Sequence, residues 1–275
     1  GRYAYMTIEG SGGLVFIIID VTRPEGSCIT GAVADLGIGD AWDIAVSGRH
    51  AYVTFNGVGS NALRIIDISN PRAPVVLGGA GLTLRMPNAP ARGIFVAGNY
   101  AYMTFAGSGI NAFRIINISN PNTPFVEAGD DNSKFGQFFY SGLPYAPLNL
   151  YGIYVSGRYA YVVLDCEALE NCGSGSTFDS NSHLRIIDVC GSQQTCNPQE
   201  ARVVAGSERQ LGAASPGRRV IDIHVSGRYA YLSSQDYTKL LTVLDISNPS
   251  APQIIGSLAG GGSASFGFAL ASSGR

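Results

Sequence analysis

Two aspartates occupy positions where paired carboxylates could carry out glycoside hydrolysis. Glycines in short turns mark a repeat along the chain, and Asp43 and Asp222 each lie five residues before such a glycine, Gly48 and Gly227. Glycosidases use two carboxyl groups, one as acid and one as base or nucleophile. The equivalent positions in the other three repeats lack a carboxylate and hold Gly93, Gly152 and Ala269. Because only two repeats carry the acid, this pattern gives weak support to catalysis.

A second set of acids ends an apolar segment in each repeat, just before a turn. Its members are Asp20, Asp67, Asp188 and Asp245, with Asn117 in the third repeat. A carboxylate and an amide oxygen can both accept hydrogen bonds from the main-chain N–H groups of a turn. Since asparagine serves at one position, we predict a structural, turn-capping role at all five.

Four of the five cysteines lie in two connections of the fourth repeat. Cys166 and Cys172 fall between its second and third predicted strands, and Cys190 and Cys196 between its third and fourth. These connections lie at opposite ends of the strands, roughly 20 Å apart at about 3.3 Å per residue. A disulfide needs Cα atoms within about 7 Å, so we predict the pairs Cys166–Cys172 and Cys190–Cys196, no shared zinc site and an oxidising compartment. Cys28 is left as a buried free thiol or as the partner of a cysteine outside this chain.

The composition narrows the class of protein. Charged residues make up 14% of the chain, against about 25% on average, and the net charge of −2 comes with no basic run. We therefore predict no nucleic-acid partner. The longest apolar run, Leu14 to Ile19, is far shorter than the roughly 20 residues of a membrane span, so none is predicted. Few charges together with 36 glycines and 14 tyrosines are typical of an extracellular or cell-surface β protein.

No cofactor is predicted. Oxygen-rich segments at Asp130 to Asn132 and Asp165 to Asp179 could hold calcium, but neither matches a known calcium loop, and solvated loops explain both. The histidines show no metal-ligand spacing and are His50, His183 and His224. We therefore predict no metal site.

The segment Phe135 to Tyr145 carries five aromatic residues. That is too many for a solvated loop, so the segment either plugs a channel mouth or forms a contact patch for a partner. The candidate binding residues are Phe138, Phe139, Tyr140, Tyr145, Arg85, Arg218 and Arg219.

Each repeat contains four strand signals, here named A to D. In the second repeat they are Trp42 to Val46, Tyr52 to Phe55, Leu63 to Ile68 and Val75 to Gly78, and β-branched and aromatic residues dominate them. The spacing fits four-stranded propeller blades of roughly 40 to 50 residues with insertions. The turn glycines that mark it are Gly1, Gly48, Gly98, Gly157, Gly227 and Gly274.

The strand C phrase Leu-Arg-Ile-Ile-Asp-Ile-Ser-Asn-Pro, residues 63 to 71, and the upstream Val-Ser-Gly-Arg-x-Ala-Tyr, residues 46 to 52, resemble the LVIVD repeat. The resemblance implies β-propeller modules of bacterial and archaeal secreted or surface proteins. It covers nearly the whole chain and brings no catalytic motif with it. The chain departs from the pattern at Thr22 to Pro24 and at Cys190 to Ser192, where Ser-Asn-Pro is expected.

We predict an all-β fold, a β-propeller with five four-stranded antiparallel blades. Its ring would close where Tyr3 to Ile8 pairs with Phe268 to Ala271, which leaves no open sheet edge. An excerpt from a longer propeller of six to eight blades is the alternative. The predicted single domain, 1–275, has blades at 1–36 plus 264–275, 37–80, 90–129, 149–206 and 218–258.

The A–B and C–D turns are short and share one face, and the long B–C and D–A connections share the other. Binding sites usually lie on long loops carried by a rigid scaffold. We therefore predict a non-enzymatic scaffold or binding module with a protein or surface-glycan partner. The alternatives are a subunit of a larger surface assembly or filament of further copies, and a five-bladed glycoside hydrolase with Asp43 and Asp222 in its channel.

Overall fold

The computed structural model consists almost entirely of β-strands. It describes residues 2–10, 13–33, 36, 40–55, 62–78, 90–106, 112–129, 148–166, 181–191, 196–207, 209–213, 219–235 and 238–260. Within these ranges the only helices are two single turns of 3-10 helix, Pro24–Gly26 and Pro198–Glu200.

The first sheet has three strands in the described part of the chain. They are β1 (Tyr3–Gly10), β2 (Gly13–Asp20) and β3 (Cys28–Val33), in the order β1-β2-β3. The fourth strand predicted for this sheet, Phe268 to Ala271, lies outside the described residues. Closure of the ring therefore stays a prediction.

The second and third sheets each have four strands in sequence order. The strands of the second are β4 (Ala41–Ser47), β5 (His50–Phe55), β6 (Leu63–Asp67) and β7 (Val75–Gly78). Those of the third are β8 (Ala91–Ala97), β9 (Tyr100–Phe105), β10 (Phe113–Asn117) and β11 (Phe125–Ala128). In both sheets strand A, β4 or β8, forms one edge, and strand D forms the other.

The last two sheets follow the same order. The fourth contains β12 (Leu148–Ser156), β13 (Tyr159–Cys166), β14 (Asn181–Asp188) and β15 (Arg202–Val203), with β16 (Arg209–Ala213) also paired to β14. The fifth contains β17 (Val220–Ser226), β18 (Tyr229–Ser234), β19 (Leu241–Asp245) and β20 (Gln253–Leu258). The all-β prediction with five antiparallel sheets is confirmed. The predicted blade boundaries stay predictions.

The strand A–strand B hairpins close as the sequence predicts. Ser47 pairs with His50 across a two-residue turn, and Ser226 pairs with Tyr229 in the same way. The glycine that opens each turn has a positive φ, a conformation that costs residues with a Cβ roughly 1–2 kcal/mol. These glycines are Gly48, Gly98, Gly157 and Gly227, with φ of 57° or 58°.

The chain groups into two compact units, Gly1–Met103 with Ile116–Val126, and Thr104–Ile115 with Glu127–Arg275. Each unit has its own apolar core. The core of the first unit joins Phe16 and Ile18 of the first sheet to Phe55 and Ile66 of the second, all buried. Burial of each such side chain stabilises the fold by about 1.5–3 kcal/mol.

The core of the second unit joins the fourth and fifth sheets. Tyr161 and Leu184 pack there with Ile223, Leu232 and Leu244. Tyr161 directly follows an alanine in strand B, at a position where a tyrosine recurs along the chain. Burial raises the pKa of its hydroxyl. The recurring tyrosine therefore serves the contact between neighbouring sheets.

The outer strands share a β-bulge that is followed directly by a glycine. In β3 the register shifts between Ile29 and Gly31, and in β20 it shifts between Ile254 and Gly256. A Cβ placed on Gly31 would lie 2.0 Å from the main-chain oxygen of Pro71, in the C–D turn of the second sheet. Because Gly31 has no side chain, this turn can pack directly against β3.

This close packing predicts that substitution by alanine changes the free energy of unfolding differently at two glycines in matching registers. Gly31→Ala should lower the free energy of unfolding by about 1–3 kcal/mol, since a main-chain carbonyl must move. Gly256→Ala should leave it unchanged or slightly higher, because no atom of the described residues lies within 4 Å of its added Cβ. Urea unfolding of both variants measures the difference. Equal effects would contradict the close packing of the Pro71 turn against Gly31.

Candidate functional site

Asp43, on the inner edge strand β4, holds main-chain groups of two sheets. Its Oδ1 accepts a hydrogen bond from the N–H of Ile44 at 2.8 Å, and its Oδ2 accepts one from the N–H of Ile94 at 2.9 Å. Ile94 lies on β8, the edge strand of the third sheet. Both carboxylate oxygens thus bind the main chain, and one of them satisfies an amide that has no ladder partner on that side of the sheet.

Two buried threonines of strand B form hydrogen bonds with main-chain carbonyl groups of the next sheet. The hydroxyl of Thr54 donates to the main-chain oxygen of Arg92 at 3.0 Å, and that of Thr104 donates to the main-chain oxygen of Tyr151 at 2.7 Å. Both threonines are fully buried. Since Arg92 and Tyr151 hold matching positions on edge strands β8 and β12, the same joint recurs at two successive sheets.

Asp222 holds the position in β17 that Asp43 holds in β4. Its Oδ1 accepts a hydrogen bond from the N–H of Ile223 at 2.8 Å, as Asp43 does from its own neighbour. A Cβ on Gly152 of β12 would lie 2.7 Å from the Cα of Asp222. The two edge strands therefore approach closely where the matching position holds glycine. This geometry gives both predicted channel acids main-chain partners.

The five turn positions behave as the sequence predicts. In each case Oδ1 accepts a hydrogen bond from the main-chain N–H two residues later, at 2.8 to 3.2 Å. The residue pairs are Thr22 with Asp20, Ser69 with Asp67, Ser119 with Asn117, Cys190 with Asp188 and Ser247 with Asp245. The turn-capping role is confirmed, and these acids are parts of the C–D turns.

An arginine of the preceding A–B turn pairs with the same carboxylates, a contact that the motif analysis missed. The guanidinium–carboxylate distances are 3.0 Å for Arg2–Asp20, 2.7 Å for Arg158–Asp188 and 2.8 Å for Arg228–Asp245. In the third sheet Asn99 replaces the arginine where Asn117 replaces the acid. Both partners change to asparagine in the same repeat, and this paired change is the sequence feature from which the contact could have been predicted.

The caps lower the pKa of three carboxyl groups. Hydrogen bonds from the hydroxyl and N–H of Thr22 lower the pKa of Asp20 to about 2. The N–H of Ser69 lowers the pKa of Asp67, and the hydroxyl of Ser247 lowers that of Asp245. The turns therefore bind the ionised form of each acid.

Only one of the seven candidate binding residues lies in the described part of the chain. Residues Arg85, Phe138, Phe139, Tyr140, Tyr145 and Arg218 lie outside it. Arg219, just before β17, donates a hydrogen bond to the hydroxyl of Tyr151 and lies 5.7 Å from the centre of its ring. Tyr151 is in the first half of β12, so this pair joins two sheets near the end where the long D–A connections enter.

Cys190 and Cys196 form a disulfide, which is the pairing the sequence predicts for them. Cys166 ends β13, but its side chain and Cys172 lie outside the described residues. Cys28 is a free thiol in this structure and is exposed, so the alternative of a buried thiol was wrong. The alternative of a partner cysteine outside this chain stays a prediction. Cys28 lines an open cleft of about 530 Å³ with the Arg2–Asp20 pair and Arg72.

The described ranges contain no group of three or more His, Cys, Asp or Glu side chains arranged to hold a metal ion. The two segments considered for calcium fall on residues whose side chains lie outside these ranges. In the same ranges no helix has the length and apolar character of a membrane span.

Comparison with solved structures defines the class of fold. The crystal structure of a Bacteroides uniformis protein, named as a candidate 6-phosphogluconolactonase, matches with a TM-score of 0.61 and 13% identity over 94% of this chain and 68% of that chain. The computationally designed protein Ika8 matches with a TM-score of 0.50 and 10% identity over 100% of this chain and 79% of that chain. An exo-1,5-α-L-arabinanase from a bovine ruminal metagenomic library matches with a TM-score of 0.47 and 9% identity over 94% of each chain, too low to carry an argument. The five sheets are blades of a β-propeller.

The repeat within the blades is the LVIVD repeat. Residues 38–79, 90–128 and 217–259 match the sequence profile of that family. Three regions of this chain therefore match the LVIVD repeat, and the resemblance seen in the sequence is confirmed. A search of curated proteins found no match to the chain.

The threonine joint can be tested at Thr104. Thr104→Val should lower the free energy of unfolding by about 1–3 kcal/mol, because the buried oxygen of Tyr151 loses its donor. Valine itself fits this place in a strand, since Val163 holds the matching position in the fourth sheet. Thr104→Ser keeps a hydroxyl and should retain most of the stability. Thermal and urea unfolding measure both, and a neutral Thr104→Val would contradict the role of the joint.

The turn acids predict a loss of stability in acid. A carboxyl group whose pKa is lowered in the fold stabilises it above the ordinary pKa, and this contribution disappears as the pH falls through the lowered value. For Asp20 that window runs from 3.8 to about 2. The triple variant Asp20→Asn, Asp67→Asn, Asp245→Asn should lose less stability across this window than the natural chain. Urea midpoints at neutral and acid pH measure this, and parallel losses would contradict it.

Proposed function

We propose that this chain is a non-enzymatic scaffold or binding module of an extracellular or cell-surface protein. Its partner is a protein or a surface glycan, and it binds through the long connections at one end of the sheets. The observation that carries this proposal is the use of the repeated polar side chains. The turn acids cap turns, and Asp43 and Thr54 hold the edge of the next sheet.

The geometry of Asp43 argues against the hydrolase alternative. A general acid must carry a proton that it gives to the leaving group. Both oxygens of Asp43 accept hydrogen bonds from main-chain N–H groups, and such bonds favour the ionised form of a carboxyl group. A carboxylate that is fixed in this way is suited to hold two strands together and poorly suited to move a proton.

The unequal ends of the sheets support binding at one of them. The A–B turns are two residues long, whereas residues 129 to 147 connect β11 to β12 and residues 167 to 180 connect β13 to β14. Near this end Arg219 and Tyr151 fix β17 against β12. A rigid base that carries long variable connections is the usual arrangement of a binding surface. The Cys190–Cys196 disulfide supports an oxidising compartment.

A printed array of surface polysaccharides and secreted proteins tests the proposal. The triple variant Phe138→Ser, Phe139→Ser, Tyr140→Ser should lose binding of the retained probe by about tenfold or more, since aromatic contacts dominate such interfaces. Arg72→Ala, in a turn at the opposite end of the second sheet, is the control and should bind like the natural chain.

The same incubation monitors chemistry. No release of reducing sugar is expected from any polysaccharide on the array, arabinan included. Release that is abolished by Asp43→Asn would establish the hydrolase instead. Loss of binding in the Arg72→Ala variant, with the aromatic variant unaffected, would show that the binding surface lies on the C–D turns and would contradict the proposal.

A further inference from the structure

The C–D turns of the second, third and fifth blades share one hydrogen-bond pattern. In the second blade the carboxylate of Asp67 accepts the N–H of Ser69. The side chain of Asn70 accepts the N–H of Arg72 at 3.2 Å, and its carbonyl accepts that of Ala73 at 3.0 Å. The matching asparagines of the third and fifth blades are Asn120 and Asn248. The serine therefore connects the capping acid of strand C to the asparagine of the turn.

In the fourth blade the two halves of this pattern lie on either side of an insertion. Asp188 accepts the N–H of Cys190 at 3.2 Å, the bond that the turn serine donates in the other blades. The side chain and the carbonyl of Asn197 accept the N–H groups of the second and third residues after it, at 3.2 and 3.0 Å. Cys190 thus holds the place of the serine after strand C, and Cys196 holds the same place before the asparagine.

The pairing of strands C and D gives the length of the insertion. Asp67 pairs with Val75, eight residues later, whereas Asp188 pairs with Arg202, fourteen residues later. The fourth blade therefore contains six additional residues, and the disulfide joins the two ends of this insert. The Cα atoms of the two cysteines lie 4.1 Å apart, close to the about 3.8 Å between consecutive residues. The bond thus places the turn where it would begin without the insert.

The outer strand of the fourth blade, β15, depends on the start of this turn. It contains only Arg202 and Val203, which pair with the end of β14. The 3-10 turn Pro198–Glu200 leads directly into it, and Pro198 and Ala201 are buried. Because so short a strand makes few ladder bonds of its own, the preceding turn has to hold it in place.

We propose that the Cys190–Cys196 disulfide is a redox-sensitive latch, which holds this turn and β15 against β14 only while it is oxidised. A dithiol reductant opens it in two exchange steps. One thiolate of the reductant attacks a cysteine sulfur, the bond between the two cysteines breaks, and the other cysteine leaves as a thiolate. The second thiol of the reductant then displaces the first cysteine. The reductant becomes a disulfide, and the protein gains two electrons and two protons as two thiols.

The latch acts locally. The bonds of Asp188 with Cys190 and Arg158 form before the insert begins, so reduction leaves them in place. What reduction removes is the fixed distance between the ends of the insert, on which the turn at Asn197 depends. Local opening of this kind appears as faster amide exchange in the opened segment alone. This property goes beyond the proposed function, because it involves neither the long connections nor their partner.

Amide hydrogen exchange, measured by NMR on the oxidised chain and again after treatment with dithiothreitol, tests the latch. Reduction should accelerate exchange about tenfold or more at Glu200, Ala201 and Val204, whose N–H groups bond within the turn and to β14. The ladder amides of β13 should not change. The double variant Cys190→Ser, Cys196→Ser should exchange like the reduced chain, with or without the reductant.

Two further variants serve as controls. The reductant also reaches Cys166 and Cys172, so the variant Cys166→Ser, Cys172→Ser should keep the full response. Removal of residues 191–196 together with Cys190→Ser joins the new serine to Asn197 and restores the turn pattern of the other blades. This shortened chain should protect the turn amides like the oxidised natural chain and should not respond to the reductant.

Equal exchange at the turn before and after reduction of the natural chain would overturn the proposal. Loss of protection in every strand on reduction would also overturn it, because the disulfide would then stabilise the whole fold rather than one turn. A shortened chain without protection at the turn would show that the two cysteines do not share the serine position, which would overturn it as well.

Discussion

The inner edge strands of the blades have main-chain groups that no strand of their own sheet can satisfy, and the neighbouring blade must satisfy them. A buried amide or carbonyl group without a partner costs about 1–3 kcal/mol. Thr54 and Thr104 provide the donors for Arg92 and Tyr151, and Asp43 provides the acceptor for Ile94. In the described residues this requirement decides which polar side chains stand at the inner strands.

The same requirement limits where function can evolve in such a protein. Side chains that hold a neighbouring blade cannot be changed or moved without loss of stability, so the repeat keeps its polar residues for architecture. The outer strands add a second joint, in which the lack of a side chain at Gly31 admits the carbonyl of Pro71. What remains free to vary is the length and composition of the connections between the strands.

The local features of the fold could be predicted from the sequence because they depend on neighbouring residues. Gly48 reveals a turn by its freedom to adopt a positive φ, and the exchange of Asp67 for Asn117 reveals a cap. The contacts between blades could not be predicted in this way. Asp43 and Ile94 are 51 residues apart, and no local pattern marks them as partners. The pairing of turn arginines with Asp20, Asp188 and Asp245 was visible as a joint change to Asn99 and Asn117, but it needed the register to interpret it.

Asp43 acts as a structural clamp between two blades, and amide hydrogen exchange at Ile94, measured by NMR, reports on this clamp. Slow exchange is expected, with an opening free energy like that of the ladder amides of β8. Asp43→Ala should markedly accelerate exchange at Ile94 and spare the amides of β9. If Ile94 in the natural chain exchanges as fast as an exposed turn amide, Asp43 does not hold the edge of β8.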